Sequence, residues 1–232
     1  MGSIQESLPR PSVTLPQGTI IGIEQKDHFP QTVESFLGFP YAQPPVGDLR
    51  FRSPVKLPQS SKTFDASEYG KAAPGKPLIP PRIPLVYSED CLTANVIRPA
   101  GRVSDGTLLP VAIYVHGGAF NRGHSSMQNT ASMVAWSEEP FIAVSFNYRV
   151  GALGFLPSTR SAEEGVLNLG MQDQRFLFEW VQENIHYFGG DKDNVTLIGL
   201  SAGAITVSSG KDSKTLLLIS NTDWAFSLPL QR

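Results

Sequence analysis

The sequence has one cysteine, no block of like charge and no apolar run long enough to cross a bilayer. Cys91 stands alone among 232 residues, which excludes an internal disulfide and suits a reducing compartment. The 19 Lys and Arg nearly balance the 21 Asp and Glu, for a net charge of −2. Such a chain offers no electrostatic handle for nucleic acid or for an anionic membrane surface. No stretch approaches the ~20 apolar residues of a membrane span. The start, MGSIQESLPRPSVTLPQG, lacks the basic head and apolar centre of a signal peptide. Glu6 stands where N-myristoylation wants Ser or Thr. A cytoplasmic protein is therefore expected, and the sequon Asn194-Val195-Thr196 is read as ordinary strand sequence. G-x-G-x-x-G and G-x-x-x-x-G-K-[ST] are both absent, which removes the usual nucleotide-binding readings. No cofactor or metal is expected. One further absence matters most. The four histidines are His28, His116, His124 and His186, and none follows residue 186.

What is present reads as a globular α/β domain, 41% hydrophobic and 17% charged. GTIIGIE and VESFLGFPYA are short strand candidates, and LTANVI (92–97) is another. Residues 44–84 are proline-rich with little periodicity and read as an ordered wrapping loop. VAIYV (111–115) and FIAVSFNY (141–148) are apolar on both faces, as central strands of a parallel sheet are. A helical stretch surrounds 128–136. A long helix is expected over 169–187, with Phe176, Leu177, Trp180, Val181 and Ile185 on its apolar face. NVTLIG (194–199) follows as a further strand. Buried strands alternating with helices indicate a doubly wound, mostly parallel sheet.

That last strand runs into Gly199-Leu200-Ser201-Ala202-Gly203. A G-x-S-x-G match alone is weak, but here a β-branched strand precedes it and small residues follow it. A strand-to-helix elbow holds a serine in strained geometry, needs small neighbours to close, and sets the hydroxyl at a helix N-terminus. Upstream, YVHGGAF (114–120) places small residues directly after a central strand. Such a turn can aim backbone N–H groups at the oxyanion of a tetrahedral intermediate, although alone it could equally be an ordinary βα turn. Together the two elements point to nucleophilic acyl transfer.

With these motifs the chain resembles the type-B carboxylesterase family of carboxylesterases, fungal lipases and cholinesterases. The likeness runs over about 18–204. It rests on FLGFPYAQPPVGDLRFRSP (36–54), SEDCLTANV (88–96), HGGAF (116–120), NYRVGALGFL (147–156), LNLGMQDQRFLFEWVQENIHYFGGD (167–191) and NVTLIGLSAGA (194–204). It implies an α/β-hydrolase fold, Ser201 as nucleophile, and the N–H groups of Gly118, Ala119 and Ala202 as oxyanion hole. It also implies two buried ion pairs, Arg50 with Glu89 and Arg149 with Asp173. The substrate implied is a small-molecule carboxylic ester.

The departures are specific. Leu200 replaces the family's usual Glu before the serine, and Thr93 and Ala94 replace an aromatic and a leucine. The upstream cysteine that secreted members pair with the one at Cys91 is missing, which implies a free buried thiol. In α/β-hydrolases the triad order is Ser, then Asp or Glu, then His, yet every histidine here precedes Ser201. Residues 1–232 are thus expected to form a single partial domain, with a divergent tail at 205–232 and little activity alone. A complementing C-terminal fragment is a candidate partner. The alternatives are a non-catalytic interaction module and a truncated product without function.

Overall fold

The computed structural model describes residues 10–77, 85–101, 106–209 and 217–220. Two sheets form. A small one joins β1 (Ser12–Leu15), β2 (Gly18–Ile21) and β5 (Thr63–Asp65) in the order β1-β2-β5. The main sheet has seven strands in the order β10-β9-β7-β8-β6-β4-β3. These are β3 (Ile23–Gln25), β4 (Val33–Pro40), β6 (Thr93–Pro99), β7 (Leu109–Val115), β8 (Ile142–Phe146), β9 (Gly190–Leu200) and β10 (Leu217–Ser220).

Only one half of that sheet is parallel. β10, β9, β7 and β8 run parallel, whereas β8–β6, β6–β4 and β4–β3 pair antiparallel. The mostly parallel sheet expected from continuous apolar runs is corrected accordingly. Burial of both faces does not require a parallel partner. All seven residues of β6 are buried although both its neighbours are antiparallel, because helices and loop cover the two faces equally well. The alternation is still legible within it: Ala94 and Val96 face the main core, and Ile97 faces a second cluster with Val33, Leu37 and Val134.

Helix α1 (Thr130–Ala135) covers that second face, shorter than expected because Asn129 caps it by accepting the Ser132 N–H at 2.9 Å. Helices α2 (Gly151–Phe155) and α3 (Thr159–Glu163) are single turns. The long helix α4 (Leu169–Asn184) stops short of residue 187, where the chain tightens into a 3-10 turn over Ile185–Phe188 and Gly189 closes it at φ 84°. Its buried residues Asp173, Gln174, Leu177, Trp180, Val181 and Asn184 recur at the helical period. Trp180 and Phe188 meet Phe39, at centroid distances of 5.5 and 6.0 Å, and thereby press the helix onto β4. Helix α5 (Ala202–Ser209) follows β9 directly. Among the described residues no helix is long and apolar enough to cross a membrane.

Residues 44–77 do wrap the sheet, and they add β5, a strand the proline-rich composition hid. Residues 78–84 of the expected loop and most of the 205–232 tail lie outside the described residues. At the centre of the wrapping stands one ion pair. Arg149 donates from Nε and Nη2 to the two oxygens of Asp173, at 2.8 and 2.6 Å, and its own N–H adds a third bond at 3.0 Å. Its remaining nitrogen holds the Arg52 carbonyl in the loop at 2.8 Å. Both side chains are essentially shut from water, 3% and 0% exposed.

Removing one partner from such a pair strands the other charge in the core. Asp173→Ala is expected to cost about 3–5 kcal/mol, read as the shift in a urea unfolding midpoint. Arg50→Ala should leave that midpoint nearly unmoved, because the Arg50–Glu89 pair proves to lie at the surface.

Candidate active site

Strand β9 delivers Ser201 to the carboxyl edge of the sheet. Its register partners in β7 are Ile113 for Leu197 and Val115 for Gly199, so the serine emerges beside the chain that leaves β7. Ser201 has φ 52°, a left-handed conformation for a residue with a side chain, and α5 begins at the next residue. Such backbone costs roughly 1–2 kcal/mol and persists only where packing enforces it. Two close approaches do so here. A methyl group on Gly203 would collide with the Val115 carbonyl oxygen. One on Gly117 would stand 2.5 Å from the Leu200 carbonyl oxygen and 3.1 Å from Ser201 Cβ. The two glycines therefore let the loop after β7 lie directly against the serine turn.

That loop carries three successive positive φ angles, 126° at Gly118, 53° at Ala119 and 59° at Phe120. It is tied down on its far side. The Phe120 carbonyl accepts from Gly151 N–H at 2.7 Å, the Asn121 carbonyl accepts from Lys76 N–H at 2.8 Å, and the Phe120 ring packs on Phe155 at 5.0 Å. Among the described residues, no turn or loop carbonyl accepts the N–H of Gly118, Ala119 or Ala202. Free donors on a strained loop beside an exposed hydroxyl at a helix N-terminus are suited to binding a developing oxyanion.

No described residue hydrogen-bonds to the Ser201 hydroxyl. His124 instead pairs through Nδ1 with Ser126 Oγ at 2.7 Å, and burial lowers its pKa. His116 is buried under the loop, stacked on Tyr148 at 4.2 Å. His186 lies against Tyr187, ring centroids 4.0 Å apart and the planes tilted by 37°, and His28 sits in a turn at φ 68°. Cys91 is a free buried thiol. Burial, helped by Asp173, pushes it up to about 12, so it packs rather than reacts.

The structure places Arg50 Nε 2.5 Å from Glu89, but this pair is 47% and 29% exposed. The expectation of a buried pair is corrected there: the loop bearing Arg50 lies on the surface, and of the two expected pairs it is Arg149–Asp173 that is enclosed. Sequence reasoning missed a second enclosed pair, Arg98 with Glu34 at 2.6 Å, directly opposite each other across β6 and β4. It also missed Asn147, whose amide spans the Lys71 carbonyl at 2.9 Å and the Ser125 N–H at 2.8 Å. The signal for the first was a pair of opposite charges at one register position, invisible until the register is known.

A mixed sheet carrying a serine elbow at the carboxyl end of a parallel strand defines an α/β-hydrolase. The comparisons with known proteins go further: the carboxylesterase family model matches residues 9–214, and the chain belongs to that family. It is 39% identical to a secreted triacylglycerol lipase of Gibberella zeae, over 88% of this chain and 37% of the lipase. It is 37% identical to an acetylcholinesterase of Danio rerio, over 90% of this chain and 35% of that protein. The solved structure of Aspergillus niger EstA superposes with a TM-score of 0.75 at 38% identity, covering 86% of this chain and 37% of that one. The chain thus spans little more than a third of these relatives' length. Several relatives are named as secreted proteins, so they lend no support to a cytoplasmic location.

Gly203→Ala tests the close packing of the elbow. The added methyl must displace the Val115 carbonyl, and overpacking of this kind costs about 1–3 kcal/mol. A lowered midpoint in urea unfolding is the expected result.

Proposed function

We propose that this chain is the nucleophile-bearing part of a serine carboxylic ester hydrolase. The observation that carries the reading is the contact between the strained Ser201 turn and the loop whose Gly118 and Ala119 N–H groups have no partner among the described residues. Family membership supports it. In this reading the Ser201 hydroxyl attacks the ester carbonyl carbon, and its proton passes to a base. The carbonyl oxygen, now an oxyanion, is held by the N–H groups of Gly118, Ala119 and Ala202. Collapse expels the alcohol and leaves an acyl-serine, which water cleaves to the carboxylic acid.

The base is the part these 232 residues do not supply. The triad order of the fold puts the acid and histidine after the nucleophile, and all four histidines precede it. We assign both roles to a segment outside these residues, which would dock beside the elbow, where Leu200 and Ile205 are 39% and 57% exposed. Leu200 puts an apolar side chain before Ser201 where the family usually carries a carboxylate, which suits uncharged esters.

The test is turnover of a p-nitrophenyl ester by the chain, by its Ser201→Ala variant, and by the chain mixed with a fragment carrying the acid and histidine. Little turnover alone, strong turnover in the mixture, and a fall of the mixture to the level of the chain alone in Ser201→Ala are expected. Serine hydrolases stripped of triad members retain about 10³–10⁴-fold over water, so the activity alone should be small but measurable. Robust turnover by the unmixed chain that vanishes in Ser201→Ala would refute the division of the triad. A soluble monomer that stays inactive in every mixture would favour an interaction module instead.

A further inference from the structure

The oxyanion loop has a second layer beneath it. His116 is 1% exposed and lies under Gly117 and Gly118. Its Nδ1 is 2.9 Å from the Gly117 carbonyl oxygen. That oxygen can only accept, so Nδ1 carries the proton and the ring is the neutral Nδ1–H tautomer. Nε2 is then a bare lone pair, and it has no partner among the described residues. The ring itself is clamped. It stacks on Tyr148 at an interplanar angle of 13°, and the Tyr148 hydroxyl donates to the His116 carbonyl at 2.7 Å. On the other side Gly123 leaves room for it, since a methyl there would stand 2.6 Å from Nδ1.

The consequence follows from the planarity of the peptide bond. The Gly117 carbonyl and the Gly118 N–H belong to one rigid unit and point in opposite directions from it. Whatever fixes the carbonyl therefore aims the N–H. We propose that His116 is a positioning residue that orients the Gly117–Gly118 peptide, so that Gly118 N–H faces Ser201. This rests on the reading of Gly118 as an oxyanion donor. Without the Nδ1–H bond the peptide can rotate and turn a carbonyl dipole toward the site, where it would repel the anion instead of holding it.

The arrangement is sensitive to acid. Burial, opposed by the Gly117 bond and aided by His124, holds the His116 pKa at about 4 against an ordinary value of 6.5. Tyr148 is the other titratable group against the ring, and it is neutral throughout this range because burial raises its pKa. The folded pKa lies below the unfolded one, so the neutral ring's contribution is whole above about 6.5. It declines as pH falls and is gone below about 4. Protonation places a charged N–H at Nε2, where no described acceptor waits.

The experiment follows the amide resonance of Gly118 and the ring nitrogens of His116 by NMR in the full chain, from pH 7.5 to 3.5, with the amides of β4 and β6 as controls for unfolding. The Gly118 signal should hold steady to about pH 5 and then move with the ring, at a midpoint near 4. His116→Asn, whose amide nitrogen can stand where Nδ1 stands, should keep the Gly118 signal near its native position and abolish the acid step. His116→Gln and His116→Phe, which cannot donate from that place, should displace the signal already at neutral pH. A Gly118 signal that coincides in the native chain and His116→Phe would overturn the proposal. So would ring-nitrogen shifts that put the proton of the neutral His116 ring on Nε2, a result available even if every variant fails to fold. Because no turnover is measured, failure of the esterase reading and failure of this one are separable.

Discussion

The Arg149–Asp173 pair ties together three parts of the chain that no regular hydrogen-bond ladder connects. Asp173 belongs to the long helix, Arg149 to the stretch leaving β8, and the Arg52 carbonyl to the wrapping loop. A planar guanidinium suits this place because it can hold two carboxylate oxygens and still have an N–H left for a carbonyl. Burying the charges is costly by itself, and hydrophobic replacements at such sites are often no less stable. What the pair supplies is position. It fixes the helix against the sheet and the chain after β8 against the loop, and that chain supplies both Tyr148 beneath His116 and the Gly151 N–H that holds the Phe120 carbonyl.

From this anchor the site is built by approach distances more than by polar bonds. The Ser201 turn, the loop of Gly117 to Phe120 and the first turn of α5 touch backbone to backbone, with glycine at the points of contact. Polar side chains act one layer below: His116 on Gly117, Tyr148 on His116, and Asn147 on the turn that bears Ser125. Near Ser201 in the chain and on the facing loop, Leu200, Ile205 and Ala119 are exposed. In the proposed reading the Ser201 hydroxyl is thus presented beside backbone donors but without a base among the described residues.

The elbow, the small-residue loop and the apolar face of the long helix could be read from local sequence, since each is specified by residues a few positions apart. The enclosed partnership of Arg149 and Asp173 came only through family resemblance, and so did that of Arg50 and Glu89, which the structure moves to the surface. Burial of a charge depends on which loop covers it, and no local pattern encodes that. The antiparallel half of the sheet was hidden for a related reason. Val96 and Ile97 look alike in sequence, and only the layers above and below them decide that both faces are filled. The Arg98–Glu34 pair and the Tyr148 clamp depend on register and on stacking between distant segments, which a single sequence does not display.

The strand order also bears on how the molecule assembles. β7 and β8 lie side by side after one crossover, but β9 must insert next to β7 after α4 has been laid down, pairing residues from distant parts of the chain. Parallel pairings of this kind close long loops before they gain contacts, and folding is correspondingly slow. The strained serine turn cannot exist until that insertion is complete, because the Val115 carbonyl and Gly117 that confine it sit on the neighbouring strand and loop. During synthesis, therefore, the Ser201 turn takes its strained form only once β9 has paired with β7, and a nascent chain with a mispaired β9 carries that serine on relaxed backbone.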